Sequence, residues 1–568
     1  MGGAESKERK VISIGMEDFR EIIDKNGYFV DKTQMIQKLL DSNSKATLFT
    51  RPRRFGKTLN LSMIRRFFED ERKPDGTAVD NSHLFDGLAI SKCGEKYLRH
   101  MGKYPVINLS LKSGKQPDFE TAYASLKDEI TREFQRHSYI LAGEMSERER
   151  ETFESILRGK AENIQYAKGL QILSDCLVGY HGRKCIILID EYDVPLENAR
   201  FCEFYGQMIG FIRSLFESAL KTNDSLEFGV ITGCLRISRE SIFTGLNNLA
   251  VNTMLGPDFG DSFGFTDGEV EAMLKYYGRS EKLEEIRTWY DGYCFGDREI
   301  YNPWSILNYV KNAGYDPKTF PKAYWGNTSS NSIVKELIED GSESIRGEIE
   351  ALIAGGYLEK PLHEEITYGD IHESEDNLWN FLYFTGYLTS CGQRYDGETI
   401  FVKMRIPNTE IRTIYKNTVL SWFDKKIRAE DRTPLVKAIE DGDCTAIEAF
   451  INRQLQETIS FFDYQESYYH GFLTGLLKGN RGYLVASNRE NGLGRTDITL
   501  RENRFRGRAV ILEIKITMDF RKMEELCREA LEQIETNHYE DNLVSDGYGP
   551  ILKYGICFFK KGCMVMKA

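Results

Sequence analysis

Residues 48–68, LFTRPRRFGKTLNLSMIRRFF, decide the fold of the first half of the chain. An apolar, strand-like run leads into a tight basic loop, and Gly56-Lys57-Thr58 then opens a pattern with helical periodicity. Backbone N–H groups at the start of such a helix point towards anions, and the helix dipole favours negative charge there. The stretch therefore predicts a phosphate-binding loop between a strand and a helix.

This loop departs in one place from the usual G-x-x-x-x-G-K-[ST] pattern, because Arg51 stands where the first glycine is expected. We assign Lys57 to the β- and γ-phosphates and the Thr58 hydroxyl to Mg²⁺. A helix that begins with these residues by chance is the alternative. The loop residues predicted to bind the nucleotide are Arg53, Arg54, Phe55, Gly56, Lys57 and Thr58.

A second apolar run, CIILIDEYD at residues 185–193, ends in acidic residues. Asp190 is predicted to hold Mg²⁺ and Glu191 to polarise the attacking water as a catalytic residue. A buried strand followed by a solvated acidic turn is the alternative. The pairing of this run with the basic loop favours nucleotide binding, with hydrolysis as the further expectation.

A third strand pattern, EFGVITG at residues 227–233, ends in Thr232, which we assign to the γ-phosphate. Arg236 and Arg239 follow, and Arg236 is our catalytic candidate for stabilising transition-state charge. The arginine would act within its own chain or across subunits, and the second case requires a homo-oligomer. An ordinary exposed loop with two basic residues is the alternative.

Near the C-terminus, Asp497 begins one strand pattern, and Glu513 and Lys515 lie two residues apart on the next. Residues two apart on a strand face the same side, so a hairpin can bring all three together. Carboxylates suit Mg²⁺ at a phosphodiester, and a lysine can orient the attacking water. We assign Asp497 and Glu513 as metal ligands and all three residues as catalytic. An exposed strand edge with a salt bridge is the alternative.

Flanking residues extend this candidate nuclease site. Glu466 and His470 are four apart on a predicted helix, and Gln533 lies on the helix that follows the strands. Gly492, Gly494 and Arg495 form a predicted basic turn. The arginines that could neutralise nucleic-acid phosphates are Arg489, Arg495, Arg501, Arg504, Arg506 and Arg508. Arginines are common on solvated loops, so this cluster alone is weak evidence for nucleic-acid binding.

Alternating strand and helix patterns up to about residue 250 are typical of βαβ units with a mostly parallel sheet. Helical periodicity with aromatic clusters then dominates, and the last part of the chain returns to α/β. We predict an α/β chain with a P-loop NTPase domain over residues 1–260, a helical middle region over 261–445, with a winged helix as one option, and a restriction-endonuclease-like domain over 446–568.

The combined motifs resemble the bacterial AAA-ATPase-like family whose members carry a C-terminal PD-(D/E)XK nuclease-like domain. The resemblance runs from about residue 12 to residue 560 and rests on YFVDKT, RPRRFGKTLNLSM, LIDEYD, ITGCLRISRESIFTGLNNL, WYDGYCFG and YNPWS. It implies that an arginine in place of the first glycine is compatible with ATP binding. The resemblance also implies ATP and Mg²⁺ as cofactors.

Composition excludes other classes of protein. The 75 Lys and Arg against 87 Asp and Glu give a net charge of -12, which rules out a uniformly basic binder. The 11 cysteines show no CxxC spacing, which argues against a disulfide framework or a zinc ribbon. No apolar run is long enough to span a membrane. We therefore expect a cytoplasmic protein with no membrane partner, and the resemblance implies a bacterial one.

The resulting functional hypothesis is an ATP-binding, ATP-hydrolysing protein whose nucleotide state controls a Mg²⁺-dependent nuclease domain. Its expected partner is nucleic acid, DNA more than RNA. Two alternatives stay open at this point. One is a STAND-type signalling ATPase, and the other is a DNA-binding ATPase, with the nuclease fold acting as a binding platform that does not cut.

Overall fold

The computed structural model describes residues 9–236, 242–243, 249–327, 334–335, 342–364, 366, 368, 370–429, 431–456, 466–478, 482–491, 494–504 and 506–568. The chain forms two compact units. Unit 1 consists of Met1–Ser329 and Tyr357–Arg412, and unit 2 consists of Ser330–Gly356 and Thr413–Ala568. The division into three domains at residues 260 and 445 stays a prediction.

Unit 1 is built on a five-stranded sheet of order β2-β3-β4-β1-β5 in which every neighbouring pair is parallel. Its strands are β1 (Ala46–Thr50), β2 (Val106–Ser110), β3 (Cys185–Asp190), β4 (Leu226–Gly233) and β5 (Leu249–Asn252). The predicted parallel sheet is thus confirmed. Because β1 and β3 are buried along their whole length, their sequences are mostly apolar and lack the regular polar alternation of a half-exposed strand.

The first thirteen helices of the described chain belong to unit 1. They are α1 (Phe19–Asp24), α2 (Gln34–Ser42), α3 (Lys57–Phe68), α4 (Glu95–Leu98), α5 (Phe119–Arg136), α6 (Glu147–Leu157), α7 (Asn163–Ala167), α8 (Gly169–His181), α9 (Val194–Phe201), α10 (Tyr205–Phe216), α11 (Asp267–Tyr277), α12 (Leu283–Tyr290) and α13 (Pro303–Tyr315).

The helix that carries the phosphate-loop motif, α3, begins directly after the loop. Gly56 precedes it with φ 84°, a left-handed conformation that glycine adopts without a side-chain clash. No side-chain hydrogen bond caps the helix. The N–H groups of its first turn are therefore available to an anion.

Helices α11 to α13 share one apolar core with the N-terminal segment of the chain. Val270, Met273 and Tyr309 are buried in it, and Tyr28 and Val30 pack against it. This core holds the segment that carries YFVDKT beside the helix that carries YNPWS. Two sequence motifs that lie far apart in the chain thereby meet on one side of unit 1.

The predicted helical middle region also contains short antiparallel pairings that the sequence did not reveal. β6 (Tyr293–Phe295) pairs with β7 (Arg298–Ile300), and β8 (Leu358–Pro361), β9 (Thr389–Asp396) and β10 (Thr399–Arg405) form a sheet of order β8-β10-β9. The remaining helices from here to the C-terminus are α14 (Glu343–Ile353), α15 (Glu375–Thr385), α16 (Thr409–Ala429), α17 (Thr433–Asp441), α18 (Cys444–Gln456), α19 (Glu466–Leu477), α20 (Met523–Thr536) and α21 (Asp541–Ser545).

Unit 2 contains the C-terminal α/β domain, whose predicted fold class is confirmed. Its sheet has the order β11-β12-β13-β14-β15, where only β13 and β14 are parallel. Helix α20 makes the crossover between these two strands and packs on them. The strands are β11 (Tyr483–Asn491), β12 (Gly494–Glu502), β13 (Ala509–Ile516), β14 (Ile551–Phe559) and β15 (Gly562–Lys567).

Among the helices of the described ranges, none combines the length and the apolar character that a membrane crossing requires.

Candidate nucleotide and nuclease sites

A cavity of about 320 Å³ lies in unit 1 at the edge of the sheet where the parallel strands end. Its volume falls in the range of about 300–1,000 Å³ that is usual for small-molecule sites. Every loop residue assigned to the nucleotide lines it, namely Arg53, Arg54, Phe55, Gly56, Lys57 and Thr58. Glu191 lines it as well.

The two predicted magnesium ligands of unit 1 are in direct contact. The Thr58 hydroxyl donates to Asp190 Oδ2 over 2.6 Å, and the Thr232 hydroxyl donates to Asp190 Oδ1 over 2.5 Å. Asp190 is only 5% exposed. A hydroxyl and a carboxylate are hard oxygen donors of the kind that Mg²⁺ prefers, so these residues fit that ion. A contact between Thr232 and a γ-phosphate stays a prediction.

Lys57 is buried and turned onto its own loop. Its ammonium donates to the carbonyl oxygens of Arg51 at 2.8 Å and Pro52 at 2.9 Å, and it lies 3.6 Å from Cys234 Sγ. None of these three contacts carries a negative charge that would compensate the ammonium. The ammonium is therefore well placed to exchange a carbonyl for a phosphate oxygen, which forms a stronger, charge-assisted bond.

The arginine in place of the first glycine has a structural role. The Arg51 guanidinium donates to the Asn252 carbonyl at the end of β5, over 2.8 Å, and packs on the rings of Phe263 and Phe295. Complete burial lowers the pKa of Arg51 to about 9. Because the side chain ties β1 to β5, an arginine is tolerated at this position.

Glu191 has the backbone strain that is common at functional positions. Its φ is 51°, an unusual left-handed conformation for a residue other than glycine. Burial raises the pKa of Glu191, Lys57 and Lys112 oppose that rise, and the nearby Asp190 adds to it. A carboxylate with a raised pKa is the better proton acceptor, which suits the predicted role of Glu191.

Arg236 lies apart from the residues that line this cavity. Its guanidinium is 3.7 Å from the carboxylate of Glu364, and Arg239 falls outside the described residues. The catalytic role of Arg236 stays a prediction, as does the homo-oligomer that a role across subunits would require.

Sequence reasoning missed Asp193, which fixes the loop after β4. Its Oδ2 accepts the backbone N–H groups of Cys234 at 2.7 Å and Leu235 at 3.0 Å, and Asp193 is buried. The acidic turn after β3 is therefore not solvated at this residue. The only signal for this role in the sequence was a third acidic residue after β3, in addition to Asp190 and Glu191.

The other end of the cavity is apolar and aromatic. Tyr28, Phe265, Trp304 and Leu307 line it, and the Arg54 guanidinium lies 4.4 Å from the centroid of the Trp304 ring. Such a wall in the same cavity as the N-terminus of α3 suits a nucleobase, because bases stack on aromatic rings. YFVDKT and YNPWS were visible in the sequence, but nothing in their spacing showed that they meet.

A buried hydrogen-bond network supports the phosphate loop from behind. The Arg53 carbonyl accepts from the Trp325 indole N–H at 3.2 Å and from the Asn302 amide at 3.4 Å. The Glu410 carboxyl in turn accepts from the Trp325 backbone N–H at 2.9 Å and from the Ser305 hydroxyl at 2.8 Å. Burial raises the pKa of Glu410 to about 7.

In unit 2, the three candidate nuclease residues lie on adjacent strands. In the antiparallel pairing of β12 with β13, Ile498 lies opposite Leu512. Continuing this register by one residue places Asp497 opposite Glu513. Asp497 Oδ2 accepts the backbone N–H of Ile514 over 2.8 Å, in place of a regular ladder bond. The predicted hairpin therefore places the two residues on adjacent strands, and a shared metal site stays a prediction.

Gln533 on α20 connects the other two candidates. Its amide nitrogen donates to Glu513 Oε1, and its amide oxygen accepts from the Lys515 ammonium over 2.5 Å. Glu513 is 2% exposed. In the described ranges, no group of three or more His, Cys, Asp or Glu side chains forms a metal cluster. The two carboxylates are nevertheless hard oxygen donors that fit Mg²⁺.

The flanking predictions have mixed outcomes. His470 Nε2 lies 2.8 Å from the Asp497 carbonyl oxygen. Arg501 pairs with Asp546 at 3.4 Å, and Arg504 with Glu502 at 2.8 Å, so acids already compensate these two charges. Gly492 and the side chains of Glu466, Arg489 and Arg495 lie outside what the structure describes. Contact of this cluster with nucleic acid stays a prediction.

The parallel sheet, the phosphate loop and the paired oxygens at Asp190 define an ATPase-like α/β protein, followed by a nuclease-like sheet. Comparison with known families agrees, since residues 13–243 match the family described as a predicted AAA-ATPase and residues 464–568 match the PD-(D/E)XK nuclease superfamily. The chain thus combines an AAA-ATPase-like domain with a C-terminal PD-(D/E)XK nuclease superfamily domain. The resemblance inferred from the motifs is confirmed.

Two individual proteins are also similar to this chain. An uncharacterized protein in the vnfD 5′ region of Azotobacter chroococcum mcd 1 is 26% identical over 416 residues, which cover 72% of this chain and 70% of that protein. The solved structure of a Walker-type ATPase of Pyrococcus abyssi covers 72% of this chain and 99% of its own, at 13% identity and a TM-score of 0.36. That score is too low to bear on the function.

Proposed function

We propose that unit 1 binds ATP with Mg²⁺ and hydrolyses it. The observation that carries this proposal is the contact between the Thr58 hydroxyl and Asp190 at the start of α3, beside a cavity lined by Lys57 and Glu191. When bound, Mg²⁺ would neutralise charge on the phosphates and would be held by Thr58 and Asp190.

Each residue of this site has a separate role in the reaction. The N–H groups of the first turn of α3 bind the β- and γ-phosphates, and Lys57 adds a positive charge. Glu191 accepts a proton from the water that attacks the γ-phosphorus. The bond from the γ-phosphorus to the bridging oxygen breaks, and ADP and inorganic phosphate leave. Thr232 keeps Asp190 oriented through its hydrogen bond.

The test is Mg²⁺-dependent ATP binding and hydrolysis by the purified full chain and its variants. Lys57→Ala should weaken ATP binding by about 10–100-fold, the value of one or two charge-assisted hydrogen bonds. Glu191→Gln should keep binding and lower kcat by about 10²–10⁴-fold. Lys92→Ala, at an exposed lysine, is the control. Wild-type protein that binds no ATP, or a Glu191→Gln variant as active as wild type, would refute the proposal.

For the C-terminal domain, we propose Mg²⁺-dependent cleavage of a nucleic-acid phosphodiester, under control of the nucleotide state of unit 1. Asp497 and Glu513 would hold the ion, and Lys515 would orient the attacking water. Support comes from Gln533, which holds Glu513 and Lys515 side by side. Burying the charge of Glu513 for packing alone would be costly, so its place beside this bridge favours a functional role.

A nicking assay tests this second activity. Plasmid DNA, single-stranded DNA and RNA are incubated with Mg²⁺ and either ATP or ADP. Glu513→Ala should abolish cleavage and leave ATP binding intact, whereas Glu525→Ala on the exposed face of α20 should change neither. Binding without cleavage would favour a platform that does not cut. Neither binding nor cleavage would favour a signalling switch.

A further inference from the structure

Two lysines outside the recognised motifs line the same cavity as the phosphate loop. Lys112 and Lys115 follow β2, on a loop that contains a short 3₁₀ turn at Lys112–Gly114. No motif in the sequence singles them out. Their place in a cavity that Glu191 also lines, rather than their sequence context, suggests a function.

The loop that carries these lysines is fixed against the acidic end of β3. The backbone N–H of Leu111 donates to the Asp190 carbonyl over 3.0 Å, which extends the pairing of β2 and β3 by one residue. Gly114 packs so tightly on α9 that a Cβ atom there would lie 2.8 Å from Pro195 Cγ. The loop therefore has a defined place beside Asp190 and Glu191.

The positive charge of this loop faces the cavity. Lys112 and Lys115 line the same cavity as Lys57 and Glu191. Lys112 also pairs with Glu17 at 3.4 Å, but both side chains are more than half exposed. Exposed ion pairs contribute little, so an anionic ligand can displace this one.

Carboxylates hold two other cations of the cavity lining, Lys32 and Arg53. The Lys32 ammonium lies 2.7 Å from both carboxylate oxygens of Glu269, and Arg53 pairs with Glu197. Lys115 differs, because among the residues that the structure describes no ion pair holds its exposed ammonium. A phosphate that contacts Lys112 and Lys115 would therefore displace at most one exposed ion pair.

We propose that Lys112 and Lys115 contact the terminal phosphate of a bound nucleoside triphosphate and stabilise the charge that develops there. They would be catalytic residues supplied by the same chain, in the role that an arginine finger plays in other nucleotide hydrolases. A contact confined to the terminal phosphate would also make the site selective for a triphosphate over a diphosphate. This inference rests on the proposed ATPase function.

The test compares the double variant Lys112→Gln/Lys115→Gln with wild type in the full chain. Affinities for a non-hydrolysable ATP analogue and for ADP are measured with Mg²⁺, together with kcat for ATP. We expect the affinity for the analogue to fall by about 10–100-fold, the affinity for ADP to change less than about twofold, and kcat to fall by at least about tenfold. A merely structural role would weaken ADP and the analogue alike.

Two further proteins complete the experiment. Lys103→Gln alters an exposed lysine that precedes β2, at the opposite end of that strand, and should match wild type. Lys112→Arg/Lys115→Arg keeps the charge and should recover most of the discrimination between ATP and ADP. A Gln double variant with the wild-type affinity ratio and kcat overturns the inference and leaves the ATPase proposal standing. Wild-type protein that binds neither nucleotide overturns both.

Discussion

The buried carboxyl group of Glu410 should make the stability of unit 1 depend on pH, and Glu410→Gln should remove that dependence. Glu410 lies in the first turn of α16 with no exposed surface, and it accepts hydrogen bonds from Trp325 and Ser305. Burial raises the pKa of Glu410 from 4.5 to about 7, even though both hydrogen bonds favour the ionised form.

The magnitude follows from this rise in pKa. At 1.36 kcal/mol per pKa unit, a rise from 4.5 to about 7 corresponds to about 3 kcal/mol of unfolding free energy. The folded-state pKa is the higher one, so the contribution is complete below about pH 4.5 and is lost as the pH rises through about 7. A glutamine does not ionise, and its amide can still accept from Trp325 and donate to Ser305.

The measurement is denaturant unfolding of the full chain, followed by tryptophan fluorescence at several values between about pH 5 and about pH 8. Glu410→Gln should lie within about 1 kcal/mol of wild type near pH 5 and become more stable by up to about 3 kcal/mol near pH 8. Glu398→Gln, at an exposed glutamate of the β9–β10 turn, is the matched control and should follow wild type throughout. If Glu410→Gln also followed wild type at every pH, the buried carboxyl would not be the titrating group.

Three other substitutions have defined outcomes. Arg51→Gly restores the usual first glycine of the loop. In denaturant titrations it should lower the free energy of unfolding by about 3 kcal/mol, because it removes a buried side chain and its hydrogen bonds. Equal stability of the variant and wild type would contradict this prediction. Asp193→Ala leaves two backbone N–H groups without their acceptor and should cost about 1–3 kcal/mol by the same measurement. Gln533→Leu should weaken Mg²⁺ binding by about 10–100-fold in calorimetry, and unchanged binding would exclude a supporting role.

The parts of the fold that sequence reasoning predicted are those that depend on local pattern. Short, mostly apolar runs marked β1 and β3, and Gly56 marked the start of α3. The contact between Thr58 and Asp190 then followed, because the carboxyl ends of parallel strands share one edge of a sheet. The hairpin that carries Asp497 was predictable for a similar reason, since alternation on adjacent strands fixes which residues face each other.

The parts that escaped prediction depend on residues far apart in the chain. The role of Arg51 is set by Asn252 and by rings more than two hundred residues away, and no spacing rule links them. The aromatic wall needs Tyr28 and Trp304 to meet across a shared core. Lys115 was invisible for the opposite reason, because an isolated exposed lysine carries no pattern at all.

A structure of the full chain with Mg²⁺ and a non-hydrolysable ATP analogue tests the central claim most directly. We predict the β- and γ-phosphates at the N-terminus of α3, the base against Trp304, and the Lys57 ammonium moved from the carbonyls of Arg51 and Pro52 to a phosphate oxygen. An analogue bound elsewhere, or Lys57 still on those carbonyls with the cavity filled, would contradict the account.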